Sequence, residues 1–202
     1  MDLFTATCGI HYVLDQGAEV INLSWGYLDT MIIDNNGDTI RYVPWVMLDA
    51  LKEARDSGVV IVAALGNDGL KLGEYTKFWP ASFSENWDNV IAVGASADTD
   101  GMKRVRFSNW YDKSTLLAPG ERISSVVPFV TRRWNSSNNS PIPLHFPDGW
   151  ADGSGTSMSA PFVTRAVALM LGKRVPTNVA EIKTRILGGT PGFDPQSLIN
   201  NW

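Results

Sequence analysis

The sequence has little with which to cross-link itself, hold a metal or enter a bilayer. It has one cysteine, Cys8, so no intrachain disulfide forms. Cys8 falls in an apolar helical stretch, which predicts a packed thiol. There are two histidines, and no Cys/His/Asp cluster has metal-ligand spacing. The most apolar runs, such as residues 59–65, are far too short to span a membrane. The start, Met1-Asp2-Leu3-Phe4-Thr5, has no basic n-region. Basic residues are not in excess: 17 Lys and Arg against 21 Asp and Glu leave a net charge of −4. That balance argues against nucleic acid as a partner.

What is present is ordinary for a globular domain. The 202 residues are 44% hydrophobic and 19% charged, enough to bury a sizeable core. No internal repeat, low-complexity tract or linker interrupts them, so 1–202 reads as a single domain. Tryptophan is abundant, at eight. Trp134 and Trp150 fall in expected loops and suit either cleft walls or loop packing.

Taken in order, residues 5–16 read as a helix with apolar Ile10, Val13 and Leu14, stopped at Gly17. Val20-Ile21-Asn22-Leu23-Ser24 follows as a buried strand. Helix, glycine turn and apolar strand are the grammar of an α/β fold with a parallel sheet. Residues 31–42 read as a β-hairpin around Asn36-Gly37. Pro44 opens a helix over 45–57, with Val46, Leu48, Leu51 and Ala54 as its buried face and Gly58 as its stop. Residues 59–64 are apolar on both faces and read as a central strand. Residues 70–87 read as loop, and 89–95 as the next strand. Shorter strands are expected at 104–109, 114–118 and 123–127. Residues 131–152 are rich in Asn, Ser and Pro and read as an exposed loop. Residues 176–187 read as a last helix, and a final turn packs through Leu198 and Ile199.

The stretch with the most chemistry is Gly153-Ser154-Gly155-Thr156-Ser157-Met158-Ser159-Ala160-Pro161. It joins a polar loop to the apolar run 162–171. This is a glycine turn feeding a helix, with Ser157 at the helix N-terminus. There, unpaired N–H groups and the positive end of the dipole favour a developing anion. The glycines let backbone approach a ligand closely. Pro161 lacks an N–H that the first turn does not need. Such a serine either caps a buried helix or acts as a nucleophile.

Gly155-Thr156-Ser157-Met158-Ser159-Ala160-Pro161 resembles the nucleophile motif of subtilisin-like serine proteases (subtilases, peptidase S8). Four more stretches resemble that family in its own order. They are Val20-Ile21-Asn22-Leu23-Ser24-Trp25-Gly26, Ala63-Ala64-Leu65-Gly66-Asn67, Val90-Ile91-Ala92-Val93-Gly94-Ala95, and Phe107-Ser108-Asn109 with Leu117-Ala118-Pro119-Gly120. Together they cover about residues 5 to 190. The resemblance implies an α/β fold, a parallel sheet with helices on both faces, and serine endopeptidase chemistry through an acyl-enzyme. It implies Ser157 as the nucleophile and Asn67 as the oxyanion donor. On its own Asn67 reads as a turn residue before Gly69; beside the serine motif it reads as the donor. Ser24, Trp25 and Gly26, with Ala64, Leu65 and Gly66, would hold a peptide by strand addition and wall the pocket for its side chain. Trp25 either shapes that pocket or is core. A cis Trp79–Pro80 bond is also implied. No cofactor is needed for the chemistry, and structural calcium is a family habit with no residues assigned to it here.

The departure from the family is large. A serine nucleophile needs a base, and the base an orienting carboxylate. The family supplies them, before the strand at 20–24, in an Asp-Ser/Thr-Gly turn and a His-Gly-Thr helix start. Neither pattern occurs in this sequence, and only about nineteen residues precede Val20. His11 lies mid-helix and reads as a surface or packing residue. His145 lies in the loop before the serine turn, where a relocated base is conceivable; Asp148 and Asp152 nearby read as loop residues. The chain therefore reads as the C-terminal two-thirds of a subtilisin-like catalytic domain, lacking the N-terminal strands. It would be a fragment or one half of an enzyme, partnered by a peptide substrate and by a segment supplying the Asp and His. The rival reading is an inactive relative that binds peptides in the same cleft.

Overall fold

Asp2 begins the first helix. Its carboxylate accepts from the Thr5 N–H (2.8 Å) and from the Thr5 hydroxyl (3.1 Å), a standard N-cap. These bonds, the amide first, hold the Asp2 carboxyl below its usual range. The structure is a computed structural model and describes residues 2–33, 36, 39–40, 45–97, 103–111, 116–128, 130–135, 140–173 and 178–188.

Helix α1 (Leu3–Asp15) buries Ala6, Thr7 and Ile10 and stops before Gly17. Strand β1 (Val20–Leu23) follows. Then come β2 (Tyr27–Thr30), β3 (Ile32–Ile33), β4 (Thr39–Ile40) and helix α2 (Trp45–Asp56). Strand β5 (Val60–Ala64) is buried at every position, and β6 (Thr76–Trp79) leads into a 3₁₀ turn, Ala81–Glu85. Strand β7 (Val90–Ser96) is also buried throughout. Strands β8 (Leu116–Pro119), β9 (Ile123–Val126), β10 (Val130–Asn135), β11 (Ser140–His145) and β12 (Trp150–Gly153) precede helix α3 (Thr156–Gly172) and helix α4 (Val179–Ile186).

The sheet runs in the order β1-β5-β7-β8, all parallel. Helices cover both faces, as expected. On one face, side chains of α1 and α2 pack on Ile21, Leu23, Ile61 and Ala63. On the other, Val163, Ala166, Val167 and Met170 of α3 and Ile182 and Ile186 of α4 pack on Val60, Val62, Ile91 and Val93. Two-sided burial explains why β5 and β7 are continuous apolar runs.

Several expectations need correction. The buried face of α2 is Met47, Ala50, Leu51 and Ala54, which share one side at 3.6 residues per turn; Leu48 is half-buried and Val46 is 57% exposed. Cys8 is exposed, on the side of α1 opposite Ile10 and Ala6. Residues 70–87 hold β6, which pairs antiparallel with β2. Residues 104–109 form no strand. A bridge from Arg104 to Ser96 leads into a turn, because Ser108 and Asn109 turn inward and hydrogen-bond neighbouring backbone. The expected loop 131–152 is largely sheet: β10 pairs with β11, and β12 with β9. Pro141 and Pro143 suggested a loop, but a two-stranded ribbon has free edges that tolerate proline. Trp134 thus lies in a strand, and exposed Trp150 faces Val126 across one. The hairpin pairs Ile32 with Ile40 and Ile33 with Thr39, while its turn, Asn36 apart, lies outside the described residues, as do Leu198 and Ile199. The Trp79–Pro80 bond is cis, as the resemblance implied.

Candidate active site

The glycine turn enters α3 with Thr156 as its first residue, preceded by Gly155 at φ 157°. A Cβ on Gly155 would lie 3.2 Å from Asn67 Nδ2, a tight contact that glycine avoids. The helix start is capped from another segment. Asn67 Oδ1 accepts from the Thr156 N–H at 2.8 Å and the Thr156 hydroxyl at 3.1 Å. The Thr156 hydroxyl oxygen in turn accepts from the Gly66 N–H at 3.0 Å. Because Thr156 N–H is a donor, the oxygen end of the Asn67 amide must face it. That leaves Nδ2 without an acceptor among the described residues, on a side chain that lines the groove described below.

Ser157 faces β1 rather than Asn67. Its hydroxyl donates to the Ser24 carbonyl at 2.7 Å, and the Ser24 hydroxyl donates back to the Ser157 carbonyl at 2.8 Å. Pro161 makes this exchange possible. It lies inside the helix, beyond the first turn where it was expected. The residue four past Ser157 would normally donate to its carbonyl. Pro161 has no N–H, so that acceptor is open and Ser24 fills it. Asn22 fixes Ser24: its Nδ2 donates to the Ser24 hydroxyl at 2.8 Å, while its Oδ1 accepts from Thr164 of α3 at 2.8 Å.

Between these segments lies a groove of about 310 Å³, lined by Trp25, Gly26, Ala64, Gly66, Asn67, Asp68, Phe78, Thr156 and Ser157. Most of the expected site residues meet there. Ser24, bonded to Ser157, and the fully buried Leu65 are not among the lining residues. Trp25 lines the groove and also packs on the core. Strand addition at Leu65 and Gly66 meets an obstacle. Leu65 N–H donates to Val93 O, and Leu65 O accepts from Asn109 Nδ2. Gly66 N–H is on Thr156, and Gly66 O accepts from the Asn109 N–H. These residues form a wall with its polar groups already paired.

Asn109 closes the Phe107-Ser108-Asn109 block. It is fully buried and braces the turn that carries Asn67. Asp68 and Phe78 also line the groove without having been expected there. Phe78 gave no signal because its segment read as loop. Neither histidine is hydrogen-bonded to Ser157. His11 Nδ1 lies 2.8 Å from Glu53 Oε2, linking α1 to α2. His145 ends β11, exposed, opposite Val130. Asp148 accepts from the Trp150 N–H, and Asp152 from the Ser124 hydroxyl. Among the described residues no three His, Cys, Asp or Glu side chains converge as metal ligands, and no calcium ligand is assigned.

A family model for subtilases, peptidase S8, matches residues 3–191. The chain belongs to the subtilase family. Among characterised subtilases, subtilisin DY of Bacillus licheniformis is 31% identical over 179 residues, covering 88% of this chain and 52% of that protein. The thermophilic serine proteinase of Bacillus sp. (strain AK1) is 35% identical over 199 residues, covering 96% of this chain and 39% of that protein. The chain thus spans about half, or less, of the length of these relatives. Of solved structures, the prenylagaramide maturation protease PagA is 26% identical with a TM-score of 0.61, covering 97% of this subtilase chain and 60% of PagA. The nisin leader peptidase NisP of Lactococcus lactis is similar in fold, at 21% identity and a TM-score of 0.68, covering 96% of this chain and 61% of NisP.

Proposed function

We propose that this subtilase chain carries the nucleophile and oxyanion site of a serine endopeptidase, and that the Asp and His are supplied by residues outside this sequence. One observation carries the reading: Ser157 and Asn67 line a single groove at the N-terminus of α3, with the Asn67 amide oriented by Thr156. The substrate is a peptide or protein, as for protease relatives. Its scissile carbonyl enters the groove. Ser157 Oγ forms the new C–O bond as a base takes its proton. The oxyanion is held by the Ser157 N–H, one of the four that a helix leaves unpaired, and by Asn67 Nδ2. The C–N bond then breaks, the proton passes to the leaving amine, and water hydrolyses the acyl-enzyme. Ser157 rests on the Ser24 carbonyl, so its hydroxyl must leave that acceptor before it attacks.

A second reading has its own support, since the Ser157 hydroxyl is engaged with backbone and no base is bonded to it among the described residues. In that reading the groove binds peptides without cleaving them. The experiment is exposure to a fluorophosphonate followed by peptide mapping. The endopeptidase reading expects an adduct on Ser157, slow with the chain alone and accelerated when the N-terminal third of subtilisin DY is added. No adduct on Ser157 under either condition ends that reading in favour of peptide binding.

A further inference from the structure

The groove has a floor that its walls alone do not reveal. Phe78, in β6, is held on both of its edges by glycines from the two wall segments. A Cβ on Gly26 would fall 2.3 Å from Phe78 Cε1 and 2.9 Å from Cδ1. A Cβ on Gly66 would fall 2.5 Å from Cε2 and 2.6 Å from Cδ2. Opposite edges of one ring therefore touch opposite walls. The ring spans the slot from the Ser24–Gly26 segment to the Ala64–Gly66 segment. Neither glycine can gain a side chain while the ring is there.

The ring is also fixed in place. Phe78 N–H donates to the Ser82 hydroxyl at 2.8 Å, and Tyr111 donates to the same hydroxyl at 2.6 Å. The next residue, Trp79, donates its indole N–H to Asp29 at 3.1 Å. Phe78 is 9% exposed and belongs to the core cluster that includes Trp79, Ala81 and Phe83. Leaving its place would take the ring out of that packed cluster and into the open groove, so the packed position is favoured.

We infer that Phe78 sets substrate specificity: it closes the slot that receives the side chain on the acyl side of the scissile bond and selects peptides with a short side chain there, such as alanine, over aromatic ones. This inference rests on the groove being the peptide site proposed above. A short side chain lies over the ring and needs no depth. A phenylalanine side chain at that position must displace Phe78, and overpacking of this kind is costly.

The experiment measures binding, so it does not depend on a complete catalytic set. N-acetyl tetrapeptide amides ending in Ala or Phe are titrated into the ¹⁵N-labelled chain, following the amides of Gly26, Gly66 and Ser157. The Ala-ended peptide is expected to bind at least tenfold more tightly. In Phe78→Ala the preference is expected to reverse, and in Phe78→Leu to shrink. The wild-type preference is readable even if Phe78→Ala fails to fold, and Phe78→Leu keeps most of the apolar volume. Equal wild-type affinity for the two peptides overturns the inference, as does an unchanged preference in a folded variant. Shifts at none of the three amides with either peptide overturn the cleft reading, and the inference falls with it. The fluorophosphonate result tests catalysis separately, so a chain that binds peptides with this preference but takes no adduct upholds Phe78's role and refutes the nucleophile.

Discussion

Asn109 grips Asp68 with both ends of its amide: Oδ1 accepts from the Asp68 N–H at 3.1 Å and Nδ2 donates to the Asp68 carboxylate at 3.0 Å. The same two atoms also serve the Leu70 N–H at 2.9 Å and the Leu65 carbonyl at 2.9 Å. One buried side chain therefore ties both flanks of the turn in which Asn67 sits. Asn109→Ala would leave the buried Leu65 carbonyl without this partner, at about 1–3 kcal/mol, and would also remove the part-buried bonds to Asp68 and Leu70. We expect a loss of about 3 kcal/mol in chemical denaturation. We also expect slower fluorophosphonate labelling of Ser157, because Asn67 loses its brace. A melt within 0.5 kcal/mol of wild type, on the scale of ordinary surface substitutions, refutes this role.

Asn67 has two separable jobs, one at each end of its amide. Oδ1 caps α3, and Nδ2 is the proposed oxyanion donor. Asn67→Asp keeps an acceptor for Thr156 and should leave stability near wild type, aided by a negative charge at a helix N-terminus. Asn67→Ala should cost about 1 kcal/mol, as lost caps do. Both should lower turnover of the reconstituted enzyme by about 10²–10³. Equal stability losses in the two variants, or turnover retained in Asn67→Asp, would separate this residue from the assigned roles.

Much of this arrangement was legible because its signals are local. Apolar runs at β5 and β7 announce a sheet covered on both sides, and the Gly-Thr-Ser turn announces the helix that carries Ser157. What was hidden depends on distant partners. Nothing near Pro161 shows that its missing N–H is answered by Ser24, 133 residues away from Ser157 in sequence. Phe78 sits in a polar, irregular stretch whose strand exists only by pairing with β2. Asn109 reads as the end of an expected strand until its contacts with the turn that carries Asn67 are seen. The ribbon of β10 and β11 was masked by prolines, which mark loops by composition but are permitted at strand edges.

Lys183 supplies a pH test of the packing between α4 and the 3₁₀ turn. Its ammonium donates to the carbonyls of Ser84 and Trp87, each at 2.7 Å. Burial pushes its pKa below the ordinary 10.5, and nearby Asp88 offsets part of that. The unfolded chain thus holds more protons than the folded one between the lowered pKa and 10.5. Stability from this group therefore rises as pH climbs through that window. Below it, the charged form carries the full desolvation cost. The denaturation midpoint of wild type relative to Lys183→Met should increase from pH 8 to pH 10.5. A difference that is flat or falls over that range contradicts the burial argument.

Strand β1 lies at one edge of the described sheet, with β5 on its other side. Ile21 and Leu23 are buried, Val20 is half-buried and Asn22 is exposed, so one face belongs to the core, and among the described residues no strand pairs with the outer edge. Natural edge strands are usually blunted by lysine, proline or a bulge, and Val20-Ile21-Asn22-Leu23 has neither of those residues. Helix α1 packs on one face and cannot pair the edge. The edge also lies beside the site, since Ser24 follows β1 directly and binds Ser157. A segment that adds a strand here would enter next to Ser157, where the proposed function calls for an Asp and a His. We therefore expect the chain alone to self-associate through β1. Co-expression with the N-terminal third of subtilisin DY should give a soluble complex with peptidase activity that is lost in Ser157→Ala. Introducing Asn22→Pro should block that pairing, because proline removes a ladder donor, while its own melt reports any loss of the Asn22 contacts. A monomeric chain with a cooperative melt that neither binds the added segment nor gains activity from it would rule out the missing-partner account and favour a stand-alone peptide-binding module.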